Sequence, residues 1–314
     1  MLRLIGARLV QIAVTLAILS FCAYGLIGLM PGDPIDLAIA SDPRLTAEDA
    51  ARLRALHGID RPLLARYAAW AAMVLSGEFG FSRLFAQPAA EVLWPALVST
   101  LVLLGAALAL AALIGIALGA LAALRPRTAP AVDTLAVIGQ ATPSFWLGIL
   151  LIILFAVRLG WLPAGGTAEA GEGVPGALRF LALPVATLAL ANLAAYARHS
   201  AAALQAALGE PWIRSARARG APERVVLLRH ALPNAAVPIL TIAALDAGAL
   251  VSGALVTETV FARPGMGKLI YDAVMGNDYN LALLALLLTA LVTMLATRAA
   301  DLGQRALDPR LRDA

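Results

Sequence analysis

The clearest pattern along the chain is a succession of long apolar runs separated by short polar segments. Most of these runs carry no charged residue, and one is interrupted only by Asp246 and Glu258. A helix that crosses a bilayer needs about 20 apolar residues, whereas the strands of a membrane barrel would give much shorter, alternating segments. The pattern therefore predicts six transmembrane helices, at residues 9–30, 97–124, 134–157, 180–197, 231–262 and 281–297.

The basic residues are unevenly distributed over the loops between these runs. They concentrate before the first run, between the second and third, between the fourth and fifth, and after the sixth. Because cytoplasmic loops carry an excess of lysine and arginine, both termini and the loop at 198–236 are predicted to be cytoplasmic. The chain then divides into residues 1–30 with the first helix, an extracytoplasmic segment at 31–96, and a five-helix core at 97–314.

The extracytoplasmic segment 31–96 is predicted to contain short helices. Thr46 can cap the start of one helix, with Asp49 at the capping-box position. Pro62 can open a second, amphipathic helix at 62–75, because proline is favoured at a helix start. Two interpretations of this segment remain open. It could lie on the outer surface or dock a partner, or it could form a solvated lid.

Proline and glycine residues inside the predicted spans indicate how the helices pack. Pro143 lies within the third span, where it removes a backbone donor and is expected to kink the helix. Gly105, Gly115 and Gly119 lie in the second span, and small residues there allow neighbouring helices to approach closely. Packing is the preferred interpretation of these residues over a role in a pathway.

Polar residues inside the spans are candidates for lining a translocation path. An ionised group within a bilayer costs roughly 2.5 kcal/mol or more unless it is partnered or wetted. Asp246 lies nearer the middle of its span, which favours a path-lining position. Glu258 lies near the outer end, and we prefer a structural role in which it reaches interfacial water or pairs with Arg263 or Lys268. The candidates for the path are Asn192 and Tyr196, which lie one helical turn apart, together with Asp246 and Glu258.

Composition agrees with a membrane protein. Hydrophobic residues make up 61% of the 314 residues and charged residues only 14%, against about 25% charged residues in soluble domains. The net charge of +4 is small and lies in particular loops, so we expect no nucleic-acid partner. The single cysteine, Cys22, lies inside the first apolar run, so neither an internal disulfide nor a cysteine metal cluster is expected.

No catalytic constellation is expected from the sequence. The histidines, His57, His199 and His230, form no H-E-x-x-H pair. The residues up to Lys268 look like the end of a phosphate-binding loop, but Leu269 stands where such a loop needs serine or threonine. We therefore expect no enzyme activity, no metal site and no cofactor bound by this chain.

The most cationic segment, residues 210–238, lies between the fourth and fifth predicted helices. Gly220 is expected to break it into two short helices, and Pro222 can begin the second because its missing donor is not needed there. Such a basic loop can contact anionic lipid, and a short helix held at an angle can also sit in a groove of a soluble partner. Its cations are Arg214, Arg217, Arg219, Arg224 and Arg229, against Glu210 and Glu223.

Several motifs in a fixed order carry a resemblance to a known family. They read Leu29-Met30-Pro31-Gly32-Asp33-Pro34, Pro143-Ser144-Phe145-Trp146-Leu147-Gly148, Glu258-Thr259-Val260-Phe261 followed by Pro264-Gly265-Met266-Gly267, and Leu307-Asp308-Pro309-Arg310. Through them the chain resembles the inner-membrane permease subunits of binding-protein-dependent ABC importers. The similarity is to the branch that takes up dipeptides, oligopeptides, nickel or glutathione.

The loop at 210–233 resembles the cytoplasmic coupling loop of that family. Gly220 is followed by nine residues and then by His230-Ala231-Leu232-Pro233, which fits the glycine and Leu-Pro positions of that loop. Arg214 stands where the general form of that loop has an acidic residue, and His230 stands where it has isoleucine. Members of the peptide branch commonly depart from the general form in this way. The resemblance implies contact with an ATPase through Trp212, Arg214, Ser215, Ala216, Arg217, Ala218, Arg219, Gly220, Ala221, Pro222, Glu223, Leu232 and Pro233.

The resemblance also implies an architecture and a set of partners. The expected fold is an all-α type I ABC importer permease with six transmembrane helices and cytoplasmic termini, in the bacterial inner membrane. The expected partners are a homologous second permease, two ATPase subunits that carry ATP and Mg²⁺, an extracytoplasmic solute-binding protein and membrane lipids. The chain would form half of the translocation path, with short peptides as the expected substrate and nickel or glutathione as alternatives.

Two other classes of protein compete with this interpretation. A self-sufficient secondary transporter or channel usually shows an internal repeat, and the sequence shows none. An intramembrane enzyme would require the catalytic set that is missing.

Overall fold

The computed structural model describes residues 2–27, 61–169 and 171–307. The predicted helix that begins at Thr46 and the motif at the carboxyl end therefore lie outside the described residues. Within them the chain is mainly α-helical, and a single two-stranded hairpin pairs Phe81–Ser82 (β1) with Gln87–Pro88 (β2) in antiparallel register. The predicted all-α class is confirmed.

The longer helices follow the predicted apolar runs but extend beyond most of them. They are α1 (Leu2–Ile27), α2 (Leu63–Leu75), α3 (Ala89–Leu124), α4 (Ala129–Ala141), α5 (Ser144–Leu151), α6 (Gly173–Leu208), α7 (Pro211–Ala218), α8 (Leu232–Val260), α9 (Met266–Met275) and α10 (Tyr279–Leu307). Shorter helical segments are Pro126–Thr128, Ile152–Arg158, Glu223–Val225 and Val226–Ala231. The predicted amphipathic helix at 62–75 is confirmed as α2, with Pro62 at its N-cap.

Four helices in the described residues are long and apolar enough to cross a membrane, and a bent pair raises the number to as many as five. The four are Arg8–Ile27, Ala89–Leu124, Gly173–Leu208 and Tyr279–Gly303. The 29-residue helix α8 coincides with the fifth predicted span. The side chains of its central residues lie outside the part of the chain that the structure describes. The count of six spans and the side on which the termini lie stay predictions.

The predicted kink at Pro143 is confirmed as a sharp break. Helix α4 ends at Ala141 and α5 begins at Ser144, because a residue before proline is disfavoured in the helical conformation. The stretches Pro126–Ala141 and Ser144–Arg158 meet at 99°. A bend of this size makes the third predicted span either a broken span or a re-entrant loop.

The chain forms two compact units, the first made of Met1–Ala96 and Leu269–Leu291. In it, the Ser20 and Tyr67 hydroxyls hydrogen-bond at 2.8 Å and join α1 to α2. The Trp70 indole donates to the Asn280 side chain at 3.1 Å, which ties α2 to α10. The buried Asp278 carboxylate, just before α10, accepts the hydroxyl of Ser82 at 2.6 Å and holds the β1–β2 hairpin.

The second unit comprises Leu97–Lys268 and Val292–Ala314. Its helices α3 and α6 approach closely: a Cβ added at Gly115 would overlap the Cβ of Tyr196, and one at Gly119 would lie 2.6 Å from the Cβ of Ser200. Close packing is therefore confirmed at these two glycines. An added Cβ at Gly105 meets nothing within 4 Å, so the expectation of close contact is wrong there within this chain.

Candidate functional site

The cationic loop at 210–233 folds as an elbow between α6 and α8, with α7 as its first arm and the segment from Glu223 as its second. Helix α7 begins at Pro211, where the missing backbone donor of proline costs nothing. It ends in a Schellman motif: the Gly220 N–H donates to the Arg217 carbonyl at 2.9 Å and the Ala221 N–H to the Ala216 carbonyl at 3.2 Å. Gly220 has a φ of +85°, which glycine adopts without steric cost. The predicted break at Gly220 is confirmed.

The second arm of the elbow differs from the prediction of another short helix. Pro222 occupies the N-cap, and the turn Glu223–Val225 runs through the π-helical segment Val226–Ala231 directly into α8. Helical structure is thus unbroken from Glu223 to Val260. The expectation of two short helices is wrong for the second, because nothing between Glu223 and Pro233 interrupts the helical path. Pro233 is accommodated at the point where the π-helical segment Val226–Ala231 passes into α8.

The inner face of α7 is anchored in an apolar cluster of this chain. Ile213 is fully buried and Ala216 is 2% exposed; lying three residues apart, they share one face of the helix. Ile213 packs with Leu204 of α6 and, from the second arm and α8, with Val226, Ala231, Ala235 and Ile239. Sequence reasoning missed Ile213, although its apolar i, i+3 pairing with Ala216 in a charged helix was a usable signal. Ala216 was expected to contact the ATPase; the structure corrects this, because its side chain is buried against its own chain.

The outer face of α7 is exposed and basic. Trp212 is 47% exposed, although it is large and apolar. The other exposed residues expected at this surface are Arg214, Ser215, Arg217, Ala218, Arg219, Gly220, Pro222, Glu223 and Pro233, while Ala221 and Leu232 are half-buried and pack against the apolar cluster. The elbow therefore presents an indole and several guanidinium groups on a helix whose other face is fixed.

An ion pair closes the elbow across the turn. The Arg217 guanidinium donates to both carboxylate oxygens of Glu223, at 2.7 and 3.1 Å. This hydrogen bonding holds the pKa of Glu223 below its usual value and raises that of Arg217. Because both side chains are exposed, the pair contributes about 1 kcal/mol at most. Two residues expected at the ATPase contact are thus already bonded to each other.

The path candidates in α6, Asn192 and Tyr196, both make contacts within this chain. The Asn192 amide donates to the Leu188 carbonyl of its own helix at 2.7 Å. Tyr196 is 1% exposed and packs in a cluster with Ala111 and Ala189, so its role is corrected to packing between α3 and α6. The side chain of Asp246 lies outside the described residues, and its place on a path stays a prediction.

Glu258 is fully buried, which corrects the expectation that it reaches interfacial water. Its Oε1 accepts the Thr100 hydroxyl at 2.5 Å, and its Oε2 accepts the backbone N–H of Lys268 at 3.1 Å. The Met266 N–H donates in turn to the Thr100 hydroxyl oxygen at 2.7 Å. Of the two predicted partners, Lys268 thus contributes its backbone amide, and the pairing with Arg263 stays a prediction.

Comparisons with known proteins agree with this architecture. The sequence model of a family described as "Binding-protein-dependent transport system inner membrane component" matches residues 115–313, and the model of its N-terminal part matches residues 1–88. The chain is 34% identical to a Brucella ovis protein described as a peptide permease, over 94% of each chain. It is 32% identical to the oligopeptide transport system permease AppB of Bacillus subtilis, over 98% of each chain.

A solved structure shares the fold. The chain superposes on an inward-facing crystal form of the MetNI methionine ABC transporter with a TM-score of 0.59. The match covers 70% of this chain and 98% of the other, at 20% sequence identity. At that identity the likeness concerns the fold of the helices alone.

Proposed function

The chain belongs to the family of inner-membrane components of binding-protein-dependent transport systems, and we propose that it forms half of the translocation path of an ATP-driven importer of short peptides. The names of its relatives support peptides as the substrate. The family supports a solute-binding protein as the source of substrate and separate ATPase subunits as the source of energy. A homologous second permease would supply the other half of the path.

The observation that carries this proposal is the two-faced helix α7. One face packs against α6 and α8 through Ile213, and the other exposes Trp212 among arginines. Short helices with an exposed anchor residue bind in grooves of partner proteins, and buried tryptophan and arginine side chains dominate such contacts. The outer face of α7 is therefore the surface that we assign to an ATPase subunit.

The anchoring gives the elbow a mechanical role. The apolar cluster joins α7 to α6 and to α8, so that displacing α7 without these helices would pull Ile213 out of a closely packed core. A partner that pushes on α7 as it closes on ATP would thus move the helices with it. Rigid-body movement of packed helices is a common way to alternate access to a central site.

The test is reconstitution of the complex with its ATPase and second permease. We expect peptide uptake into proteoliposomes to require both ATP and the binding protein. The Trp212→Ala variant should lose about tenfold or more in affinity for the ATPase, the usual effect of removing an interfacial anchor. Trp94→Ala is the matched control, because Trp94 is 67% exposed but lies outside the elbow. Peptide uptake by the purified chain alone, without ATP, would overturn the proposal.

A further inference from the structure

The end of α8 is joined to two other elements by a buried polar network. Thr100 of α3 donates to Glu258 of α8, and together these side chains accept the N–H groups of Met266 and Lys268 in the first turn of α9. The first N–H groups of a helix have no partner within it and need an acceptor from elsewhere. Here one acceptor, Thr100, is 166 residues from Met266 in the sequence, and the other, Glu258, lies ten residues before Lys268, near the end of α8. We call Thr100, Glu258 and these two amides the latch.

The glycines between α8 and α9 make room for the latch. A Cβ at Gly265 would overlap the carboxylate of Glu258, and a Cβ at Gly267 would lie 2.5 Å from the Cα of Leu255. The backbone of this segment therefore passes so close to α8 that only glycine fits. The Gly-Met-Gly sequence allows the amides to reach the carboxylate.

A second contact attaches a further segment to the same place. The Gly166 N–H donates to the Phe261 carbonyl at 2.8 Å, and the Phe261 ring packs on Gly148 of α5, where an added Cβ would lie 3.1 Å from it. Phe261 is 1% exposed. The end of α8 thus contacts α3 and α9 through the carboxylate of Glu258, and α5 through the ring of Phe261.

The latch and the elbow lie at opposite ends of one helical path. Helical structure is continuous from Glu223, at the elbow, to Glu258, at the latch. At 1.5 Å per residue this path is on the order of 50 Å long. A displacement of the elbow can therefore reach the latch through one continuous helix.

From these contacts we infer that the latch is the output end of the coupling movement: it makes the part of α3 around Thr100, the end of α8 and the first turn of α9 move together when the elbow is displaced. The inference rests on the proposed function, because it needs a stroke delivered at α7. The latch holds because parting the three elements would leave a buried carboxylate without its donors, which is strongly unfavourable. Thr100 and Glu258 are therefore positioning residues for transport.

The test uses variants of Thr100 in the reconstituted complex. Thr100→Val keeps the shape of the side chain but removes both the donor to Glu258 and the acceptor for Met266. Thr100→Ser keeps the hydroxyl. Ser99→Ala is the matched control in the same helix, because the Ser99 hydroxyl is buried and has no hydrogen-bond partner within the described part of the chain.

Two measurements are made on each variant. Hydrogen exchange, measured on a proteolytic fragment of this chain that covers Met266 and Lys268, reports whether the latch has opened. The number of peptides transported per ATP hydrolysed reports coupling. Leaving a buried hydrogen-bonding group without its partner shifts an equilibrium by about tenfold, so the Thr100→Val variant should show about tenfold faster exchange and a several-fold lower coupling ratio. The Thr100→Ser and Ser99→Ala variants should match the wild type.

Each outcome decides the inference. Faster exchange with unchanged coupling would overturn the role in transport, and unchanged exchange would overturn the latch itself. If the Thr100→Val variant does not assemble, Glu258→Gln is measured in the same way, because it keeps the side-chain shape but places an amide donor against a donor. Wild-type protein that transports without ATP would refute the proposed function instead, so the two failures are distinguishable.

Discussion

Replacing Gly220 with valine is a sharp test of the elbow, since the residue acts through its backbone alone. Its φ is +85°, and an added Cβ would meet nothing within 4 Å. No side-chain clash therefore contributes to the effect within this chain. Residues other than glycine pay about 1–2 kcal/mol in the left-handed region, and β-branched residues are the least tolerant.

This cost converts into a measurable change of population. A penalty of 1–2 kcal/mol lowers the ratio of native to altered elbow conformations by a factor of about 5–30. The Schellman hydrogen bonds that end α7 are lost together with it, so α7 would no longer be held at its angle to α8. We expect the Gly220→Val variant to insert in the membrane but to transport several-fold fewer peptides per ATP hydrolysed.

The control for this prediction is Gly220→Asn. Asparagine is of similar size to valine, but it tolerates the left-handed conformation. It should therefore retain most of the coupling, while Gly220→Val loses it. Wild-type coupling in the Gly220→Val variant would refute the reasoning, because the elbow would then not transmit the stroke. Equal loss in both variants would mean that the space beside Gly220, and not its backbone conformation, matters to the partner.

Three further outcomes can be measured on the purified chain. Ile213→Ala removes most of a fully buried side chain and should lower the free energy of unfolding by about 2–5 kcal/mol, seen as a lower melting temperature. Gly115→Val should cost about 1–3 kcal/mol by overpacking α3 against α6, while Gly105→Val in the same helix should be close to neutral; equal effects would contradict the packing argument. Arg217 lowers the pKa of Glu223 in the folded protein, so their pair stabilises the fold above the unfolded-state pKa and loses this effect as the pH falls through the lowered value. Glu223→Gln should therefore destabilise the fold by at most about 1 kcal/mol at about pH 7, seen as a slightly lower melting temperature. The difference should disappear as the pH falls through the lowered pKa of Glu223.

The sequence predicted the features that local chemistry controls. Apolar runs marked the positions of α3, α6 and α10, and proline marked the break at Pro143 because it excludes a helical residue before it. Gly220 marked the elbow for a similar reason. The ends of α6 were predicted less well: the helix continues past the apolar run to Leu208, since the alanine and leucine residues that follow the run favour helix, and it ends before Gly209.

The features that depend on distant contacts were not predictable in this way. Glu258 looked like an interfacial residue, yet its main partner, Thr100, is 158 residues away in the sequence. Ile213 looked like one apolar residue in a basic loop until α6 and α8 were seen to surround it. In both cases the environment of the side chain is made by segments whose mutual approach no local pattern encodes.

The carboxylate of Asp278 has a consequence for how this chain can be shortened. It is 4% exposed and accepts the Ser82 hydroxyl and the Leu84 N–H, at 2.6 and 3.1 Å. Both donors belong to the part matched by the N-terminal family model, whereas Asp278 belongs to the part matched by the other. The N-terminal family model thus ends at residue 88, but hydrogen bonds in the folded molecule connect the segments on either side of that boundary. Removing residues 1–88 would leave the buried carboxylate of Asp278 without these two hydrogen-bond donors. A shortened version of this permease would therefore also need Asp278 replaced by a neutral residue.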